Sequence, residues 1–513
     1  MATDAAEKAD QTPPVIGLAL SGGGFRATAF HLGVLQRLRE LGLLQKIALV
    51  STVSGGSIAG ASWLSWHVNR GDTFSDSKAW DRYASSLIWI MSIRNGIRGF
   101  VFILTFLIPA SCLGVLAGIL LFLSRPASGT LVSGAVLMVL ALSYLCWHYL
   151  ATTVLVECYS RWLMGYTTLD ELDPADTERA CPILLINATG LNSGEHLVFP
   201  THQPPTTYDA LLPALMLRTT PRYALKRGMP PINMPGKTRV AQAVAASSAI
   251  PGAFAPLRFT HVLSDVVGFL RTPIWGRSAR RGVYLATDGG VYDNQGTRLL
   301  ASLCQHLIVS DGAAALREQI TPSTWQLWPP GQGVLFRAQE ISYNRARELG
   351  YESLEDRTSS YRNMVDALRE CGVPPDKVRD EIDKRGPFLH SYSYVELEPS
   401  EKFGWTHGDQ RLPDKLVPLV ARVRTDLDSF SMAELSALMF HGYTMIDHCL
   451  RAYQRELLPE APPPLKFQFP FGGIFKDWDH PTDEEIERAI AHLRVSGSRL
   501  STWRRFYRWR NKC

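Results

Sequence analysis

The eight cysteines of this 513-residue chain are scattered, and no two stand at C-x-x-C spacing. That pattern offers neither a zinc site nor a disulfide framework, and it suits a reducing compartment. No internal repeat is evident, and no apolar leader precedes the first strand. Met1 to Pro14 is polar and lacks the hydrophobic stretch of a secretory signal. Charge is missing from two long runs. Phe100 to Leu123 contains no charged residue, and Thr130 to Val156 has none unless His148 is protonated. Each exceeds the roughly 20 apolar residues that span a bilayer. Only Ser124 to Gly129 separates them. The pattern predicts a transmembrane helical hairpin with spans at 100–123 and 130–156. Arg94, Arg98 and Arg161 flank the pair outside, against Arg125 in the loop. By the positive-inside rule the rest of the chain then faces the cytoplasm.

What is present is equally local. Residues Ile47 to Val53 form an apolar stretch that leads into Ser54-Gly55-Gly56, after which helix formers begin near Ser57. A strand, a tight turn with serine at its tip and a helix make the layout of a nucleophile elbow. Thr52 stands where the usual G-x-S-x-G pattern has its first glycine. The competing reading is a Ser/Gly-rich turn in which Ser54 or Ser57 caps the helix. Upstream, Val15 to Leu20 reads as a buried strand, followed by Ser21-Gly22-Gly23-Gly24-Phe25-Arg26 and a helix to about Leu41. A glycine loop at a helix head offers backbone N–H groups to an anion. No Gly-Lys-Ser/Thr follows to make a phosphate loop. The acidic residue that a dinucleotide fingerprint wants on a second strand is also missing, Glu40 being on the first helix. The anion left is the transient oxyanion of a tetrahedral intermediate. Far downstream, a β-prone run ends in Asp288-Gly289-Gly290. It is either a strand-end carboxylate reaching into a cleft or an ordinary Asp-Gly turn.

Together these segments resemble the patatin-like phospholipase family. The resemblance runs from Ile16 to about Gly312 and rests on Gly22-Gly23-Gly24-Phe25-Arg26, Val53-Ser54-Gly55-Gly56-Ser57 and Asp288-Gly289-Gly290, supported by Pro182 to Gly194 and Ala246 to Pro256. It implies a serine acyl hydrolase with a Ser–Asp dyad and no catalytic histidine. Ser54 would be the nucleophile, Asp288 its base, and the backbone of Gly22, Gly23 and Gly24 the oxyanion hole. Arg26 would position that loop or an anionic headgroup, and Gly55, Gly56, Gly289 and Gly290 would support the turns. No cofactor or metal is implied. A buried carboxyl with a raised pKa would be a competent base. Of the 13 histidines, His31 and His306 sit where structural packing is the commoner role.

The expected fold is α/β, a mostly parallel sheet flanked by helices, with the hairpin inserted and a helical C-terminal extension. The expected divisions are a 1–14 tail, a catalytic domain in two parts (15–95 and 158–312), the hairpin (96–157), the extension (313–495) and a basic aromatic tail (496–513). Capping boxes at Ser431/Glu434 and Thr482/Glu485 open two late helices. The stretch 499–513 has six cations and no acid, interleaved with Trp503, Phe506, Tyr507 and Trp509. That suits an anionic bilayer more than nucleic acid. The functional expectation is a membrane-anchored hydrolase of phospholipid or lysophospholipid esters, with the hairpin 100–156 holding the site against lipid. An acyltransferase or triacylglycerol lipase would use the same dyad. A catalytically silent membrane scaffold is the rival that Thr52 favours.

Overall fold

The computed structural model describes residues 15–71, 76–93, 152–172, 181–192, 194–201, 238–251, 254–260, 283–313, 332–383, 388–398, 412–425, 427 and 429–494. Strand β1 (Ile16–Leu20) feeds α1 (Gly24–Glu40), and β2 (Ile47–Val53) feeds α2 (Gly55–Arg70), with α3 (Ser77–Ile93) following. The remaining strands are β3 (Ile183–Gly190), β4 (His196–Pro200), β5 (Leu257–Thr260), β6 (Val283–Asp288), β7 (His306–Asp311) and β8 (Ser391–Glu396). The principal later helices are α4 (Val240–Ser247), α5 (Gln332–Glu370), α6 (Met432–Tyr453) and α7 (Asp483–Leu493).

The eight strands form one sheet in the order β5-β6-β3-β2-β1-β7-β8, with β4 also on β3. It is parallel from β3 through β2, β1 and β7 to β8. Beyond β3 it turns antiparallel at β4, β6 and β5. The sheet is therefore mixed rather than parallel throughout. The short link from Gly190 to His196 can close a hairpin but cannot carry the crossover that a parallel neighbour needs. Both faces are covered, which is why the strands read as near-continuous apolar runs. On β1, Ile16, Leu18 and Leu20 join the cluster under α1, α3 and α6, while Ala19 joins Leu307, Val309 and Leu354 on the other face.

Residues 313–495 supply strand β8 to the sheet and helix α6 to its face. Helix α6 begins with the expected capping box, Glu434 N–H to Ser431 Oγ (3.2 Å) and Ser431 N–H to the Glu434 carboxylate (2.6 Å). Thr482 and Glu485 cap α7 in the same way. Helix α5 ends at Glu370, and a helix resumes at Pro375, as the paired prolines Pro374 and Pro375 dictate. The Pro462–Pro464 link is not a free spacer, because buried Arg37 on α1 donates to the Pro463 carbonyl (2.6 Å) while ion-paired with Asp447 of α6 (2.6 Å).

Among the described residues no helix is long and apolar enough to cross a membrane. The expected spans 100–123 and 130–156 lie outside them, apart from 152–156, as does the basic tail. Residues 152–156 are helical, and Leu155 is fully buried in the core, so this end of the expected second span packs on protein.

Candidate active site

Register brings the candidate residues to one level. Val53 at the end of β2 pairs with Asn187 of β3, so Ser54 stands level with Ala188. On the far side of β3, Asp288 at the end of β6 pairs with that same Ala188. The next turn over belongs to the glycine loop, since Leu20 pairs with Thr52. Ser54, Asp288, Gly22, Gly23, Gly24 and Arg26 line a single cavity of about 420 Å³.

Ser54 is the one non-glycine residue with positive φ among the described residues (φ 48°, ψ −113°). Such a conformation costs on the order of 1–3 kcal/mol and persists only where its surroundings enforce it. Here they do. Ser54 N–H donates to Ser247 Oγ of α4 (2.9 Å). Ser57 Oγ lies 2.8 Å from the same Ser247 Oγ and donates to Thr52 Oγ1 (3.0 Å). The Ser54 side chain makes no capping hydrogen bond to α2, so its hydroxyl is left for the cavity.

Thr52 is accommodated by a glycine further along. A Cβ on Gly60 of α2 would stand 2.8 Å from Thr52 Cγ2. The space that the usual pattern provides with a glycine before the serine is provided here by Gly60. Gly60→Ala is therefore expected to destabilise the protein by roughly 1–3 kcal/mol. Thr52→Gly in the same chain should recover most of the loss in melting temperature, and two additive effects would refute the compensation.

The glycine loop crosses the elbow at close range. Gly23 and Gly24 have φ of 140° and 57°, values that side chains avoid. A Cβ on Gly55 would meet the Gly24 carbonyl oxygen at 2.2 Å. Gly56 N–H donates to the Ser21 carbonyl (3.0 Å) and fixes the approach. One difference from the expectation concerns Gly22, whose N–H is already given to the Asn294 carbonyl (2.9 Å). The Gly23 and Gly24 amides form no such bond among the described residues. They sit at the head of the 17-residue α1, where the helix dipole favours negative charge.

Asp288 is not a solvent-exposed turn residue. It is 2% exposed. Its N–H donates to the Ala249 carbonyl (3.0 Å), and its Oδ1 accepts from Gly290 N–H (2.7 Å). Gly289 N–H donates to the Ser247 carbonyl (3.1 Å), which ties the Asp-Gly-Gly turn to α4. Burial pushes the Asp288 carboxyl up to about 7, against the opposing pull of Gly290 N–H and the Ser54 hydroxyl. The hydroxyl is near enough to favour the charged form, yet Oδ2 accepts no formed hydrogen bond among the described residues. Catalytic bonds are often loose in this way before substrate arrives.

Arg26 is buried and donates to the carbonyls of Gly312 (3.1 Å) and Val423 (3.0 Å), so it braces the loop. Among the described residues no histidine lines the cavity. His31 lies beneath it between Ser310 Oγ (2.7 Å) and the Ser21 carbonyl (2.9 Å), its pKa lowered to about 4 by burial. His306 faces Ser391 of β8 (2.8 Å), also lowered to about 4 by burial. No group of metal-ligating side chains occurs among the described residues.

The opposite wall was not read from the sequence. It consists of Asn294 and one face of α5, chiefly Arg337, Glu340, Tyr343, Asn344 and Arg347. Arg347 is fixed by Asp311 at the end of β7 (2.5 Å) and by Glu396 of β8 (3.5 Å). Tyr394 donates to the same Asp311 carboxylate (2.6 Å). This buried network sets α5 against the strand that leads into Gly312, the acceptor of Arg26.

A family model described as patatin-like phospholipase matches residues 18–301. No curated protein matches in sequence. Among solved structures, the chain is similar to VipD from Legionella pneumophila at 14% identity, covering 86% of this chain and 67% of that one, with a TM-score of 0.31. It is also similar to human GIVD cytosolic phospholipase A2 at 12% identity, covering 96% and 65%, with a TM-score of 0.41. ExoU from Pseudomonas aeruginosa, solved with SpcU, matches at 15% identity over 85% and 71%, with a TM-score of 0.21. The chain thus spans about two thirds of the length of these relatives.

Proposed function

This chain belongs to the patatin-like phospholipase family, and on that premise we propose that it is a membrane-anchored lipid acyl hydrolase working through a Ser54 acyl-enzyme with Asp288 as base. The single observation that carries the reading is the meeting of a strained serine, a buried carboxyl raised to about 7 and an α-helix head in one cavity. Asp288 Oδ2 takes the Ser54 proton as Oγ attacks the ester carbonyl carbon. The carbonyl oxygen gains charge and meets the Gly23 and Gly24 amides. Collapse expels the glycerol oxygen, which takes the proton back from Asp288. Water then gives a proton to Asp288 and attacks the acyl carbon, and collapse releases the fatty acid from Ser54 Oγ, which takes that proton back from Asp288. Acyl transfer to an alcohol, and hydrolysis of triacylglycerol, would follow the same steps.

A fluorophosphonate probe tests this directly. The detergent-solubilised wild type is expected to label, and Ser54→Ala is not. Failure of both to label would favour a silent scaffold.

Membrane anchorage is proposed from the two uncharged runs of the sequence, 100–123 and 130–156. Met91 on α3 accepts from Phe430 N–H (2.9 Å), and Phe430 packs edge-on to Phe25 beside the glycine loop (6.4 Å). Thr152 donates to the Ala255 carbonyl, in the turn that contributes Ile250 to the cavity. Met91 and Thr152 thus contact residues near the cavity rather than on its lining, and lipid entering from the bilayer would keep its chains out of water, where each CH₂ costs about 0.8 kcal/mol. The catalytic side would face the cytoplasm. The chain should stay in the membrane pellet after alkaline carbonate extraction, and its release would remove the hairpin from the proposal.

A further inference from the structure

Resting on the acyl-hydrolase reading, we propose that Thr52 is a positioning residue, whose hydroxyl ends a buried row of hydroxyls, Thr52–Ser57–Ser247, that holds the Ser54 amide and keeps the nucleophile in its strained conformation. Thr52 stands where the usual elbow pattern has glycine, which has no hydroxyl to offer. The direction of each bond follows from counting hydrogens. Ser54 N–H donates to Ser247 Oγ (2.9 Å). Ser57 has one hydroxyl hydrogen, and it goes to Thr52 Oγ1 (3.0 Å). The Ser57–Ser247 contact (2.8 Å) is then a bond that Ser247 donates and Ser57 accepts. Thr52 directs its own hydrogen toward the Leu185 carbonyl of β3 over a long 3.5 Å. With Thr52 in place, every hydrogen of the row has an acceptor. The two ends of the Thr52 side chain have separate jobs, since Cγ2 lies against Gly60 while Oγ1 receives Ser57.

Thr52, Ser54, Ser57 and Ser247 are all buried, so a missing partner is costly. Without the Thr52 hydroxyl, three hydrogens face two oxygens. They are Ser54 N–H and the hydroxyl hydrogens of Ser57 and Ser247, and the two serines cannot both donate to each other. Either Ser57 keeps an unpaired hydrogen, or it turns to Ser247 Oγ, competes there with Ser54 N–H and displaces the Ser247 hydrogen. Ser248, the next residue, donates back to its helix at the Val244 carbonyl (2.8 Å), whereas Ser247 spends its hydroxyl on the elbow. Relief lies in the Ser54 turn, because a φ of 48° persists only while its surroundings enforce it. Ser54 lines the cavity, so its amide can turn to water there. That movement satisfies the hydrogens at the expense of the geometry, and the loss falls on catalysis more than on melting. The Ser247 carbonyl also accepts from Gly289 N–H (3.1 Å), so the residue that holds the nucleophile holds the turn after the base as well.

The test compares Thr52→Ser with Thr52→Ala in the full chain, in detergent. Both lose the methyl group, and only the alanine variant loses the hydroxyl. Thr52→Ala should lower kcat on a p-nitrophenyl ester and the rate of fluorophosphonate labelling by about tenfold each, with KM unchanged, while Thr52→Ser keeps most of both. Ser247→Ala removes the oxygen that holds the Ser54 amide and should cost more. Adding Thr52→Ala to it should cost little further, because the row is already cut. A melting temperature that falls in Thr52→Ala while kcat and labelling hold would make Thr52 a packing residue and overturn the proposal. Equal losses in the serine and alanine variants, or additive losses in the double variant, would overturn it too. Hydrogen exchange at the Ser54 amide reads the row without turnover, and Thr52→Ala should quicken it about tenfold relative to Thr52→Ser. That result in a protein that neither hydrolyses the ester nor labels upholds the bracing and rejects the dyad reading. Unchanged exchange and unchanged kcat in an active protein reject the bracing and leave the dyad reading standing.

Discussion

Asp288→Asn is expected to lower kcat/KM by about ten-thousand-fold, the scale on which removing one member of a nucleophile–base unit acts. The amide keeps the shape of the carboxyl and can still accept from Gly290 N–H, but it cannot take the Ser54 proton. Wild-type kcat/KM should rise with pH through about 7 and level off above it, because a protonated Asp288 cannot act as base. The same raised pKa has an opposite consequence for stability. A folded-state value near 7 against the ordinary aspartate value of 3.8 means that the fold holds this proton more tightly than the unfolded chain does. The stabilisation from that proton is complete below about 4 and is lost as pH rises to about 7. Asp288→Asn escapes the loss. It should melt above wild type at pH 8 and level with it at pH 4, where both side chains are uncharged. A variant that is inactive yet more stable at alkaline pH is the signature of a site that trades stability for chemistry. An Asp288→Asn enzyme retaining more than about a tenth of its activity would remove the base from the mechanism.

The local devices were legible because each is written in adjacent residues. Ser54 after a β-prone run, three glycines before a helix and the Ser431 and Thr482 caps need only the chain within a few positions of themselves. What was not legible depends on register and distance. The pairing of Asp288 and Val53 with neighbouring residues of β3 is set by partners 100 and 134 residues away in sequence. The compensation of Thr52 by Gly60 crosses from strand to helix, and a glycine inside a helix carries no label of its partner. The α5 stripe of Arg337, Glu340, Asn344 and Arg347 has the spacing of an ordinary solvated helix face. Only its placement across the cavity gives it meaning. Strand β8 was missed because Ser391-Tyr-Ser-Tyr-Val-Glu396 is short and half polar, with Tyr394 spent on the Asp311–Arg347 network and Tyr392 on Glu355. Gly22 illustrates the limit at finest scale: its place in the glycine run was readable, but the gift of its N–H to Asn294 was not.

Gly33→Val should prevent stable folding, although Gly33 lies outside the cavity. Helices α1 and α6 meet through a reciprocal pair of notches. A Cβ on Gly33 would stand 1.9 Å from the Met439 carbonyl oxygen, and one on Gly442 would stand 2.2 Å from the Phe30 carbonyl oxygen. Both obstacles are backbone, so neither can swing aside, and the helices would have to separate. Around the notches lie Phe30, Val34, Leu38, Leu435, Leu438 and Ile446, all fully buried. Opening that layer forfeits packing along its length, at about 3 kcal/mol or more for a branched side chain. The milder Gly33→Ala should fold with a lowered melting temperature and lose activity out of proportion. Its added methyl pushes α1 by about 1 Å, and a shift of that size at a reacting centre can cost about a hundredfold in rate. The head of α1 is the glycine loop itself, so displacement at Gly33 is delivered to Gly23 and Gly24. Helix α6 lies beyond the 18–301 span that the family model matches. The pair of substitutions therefore asks whether residues past that span are part of the catalytic body. Wild-type melting and activity in Gly33→Val would show that α6 rests on the core loosely and that the loop is positioned without it.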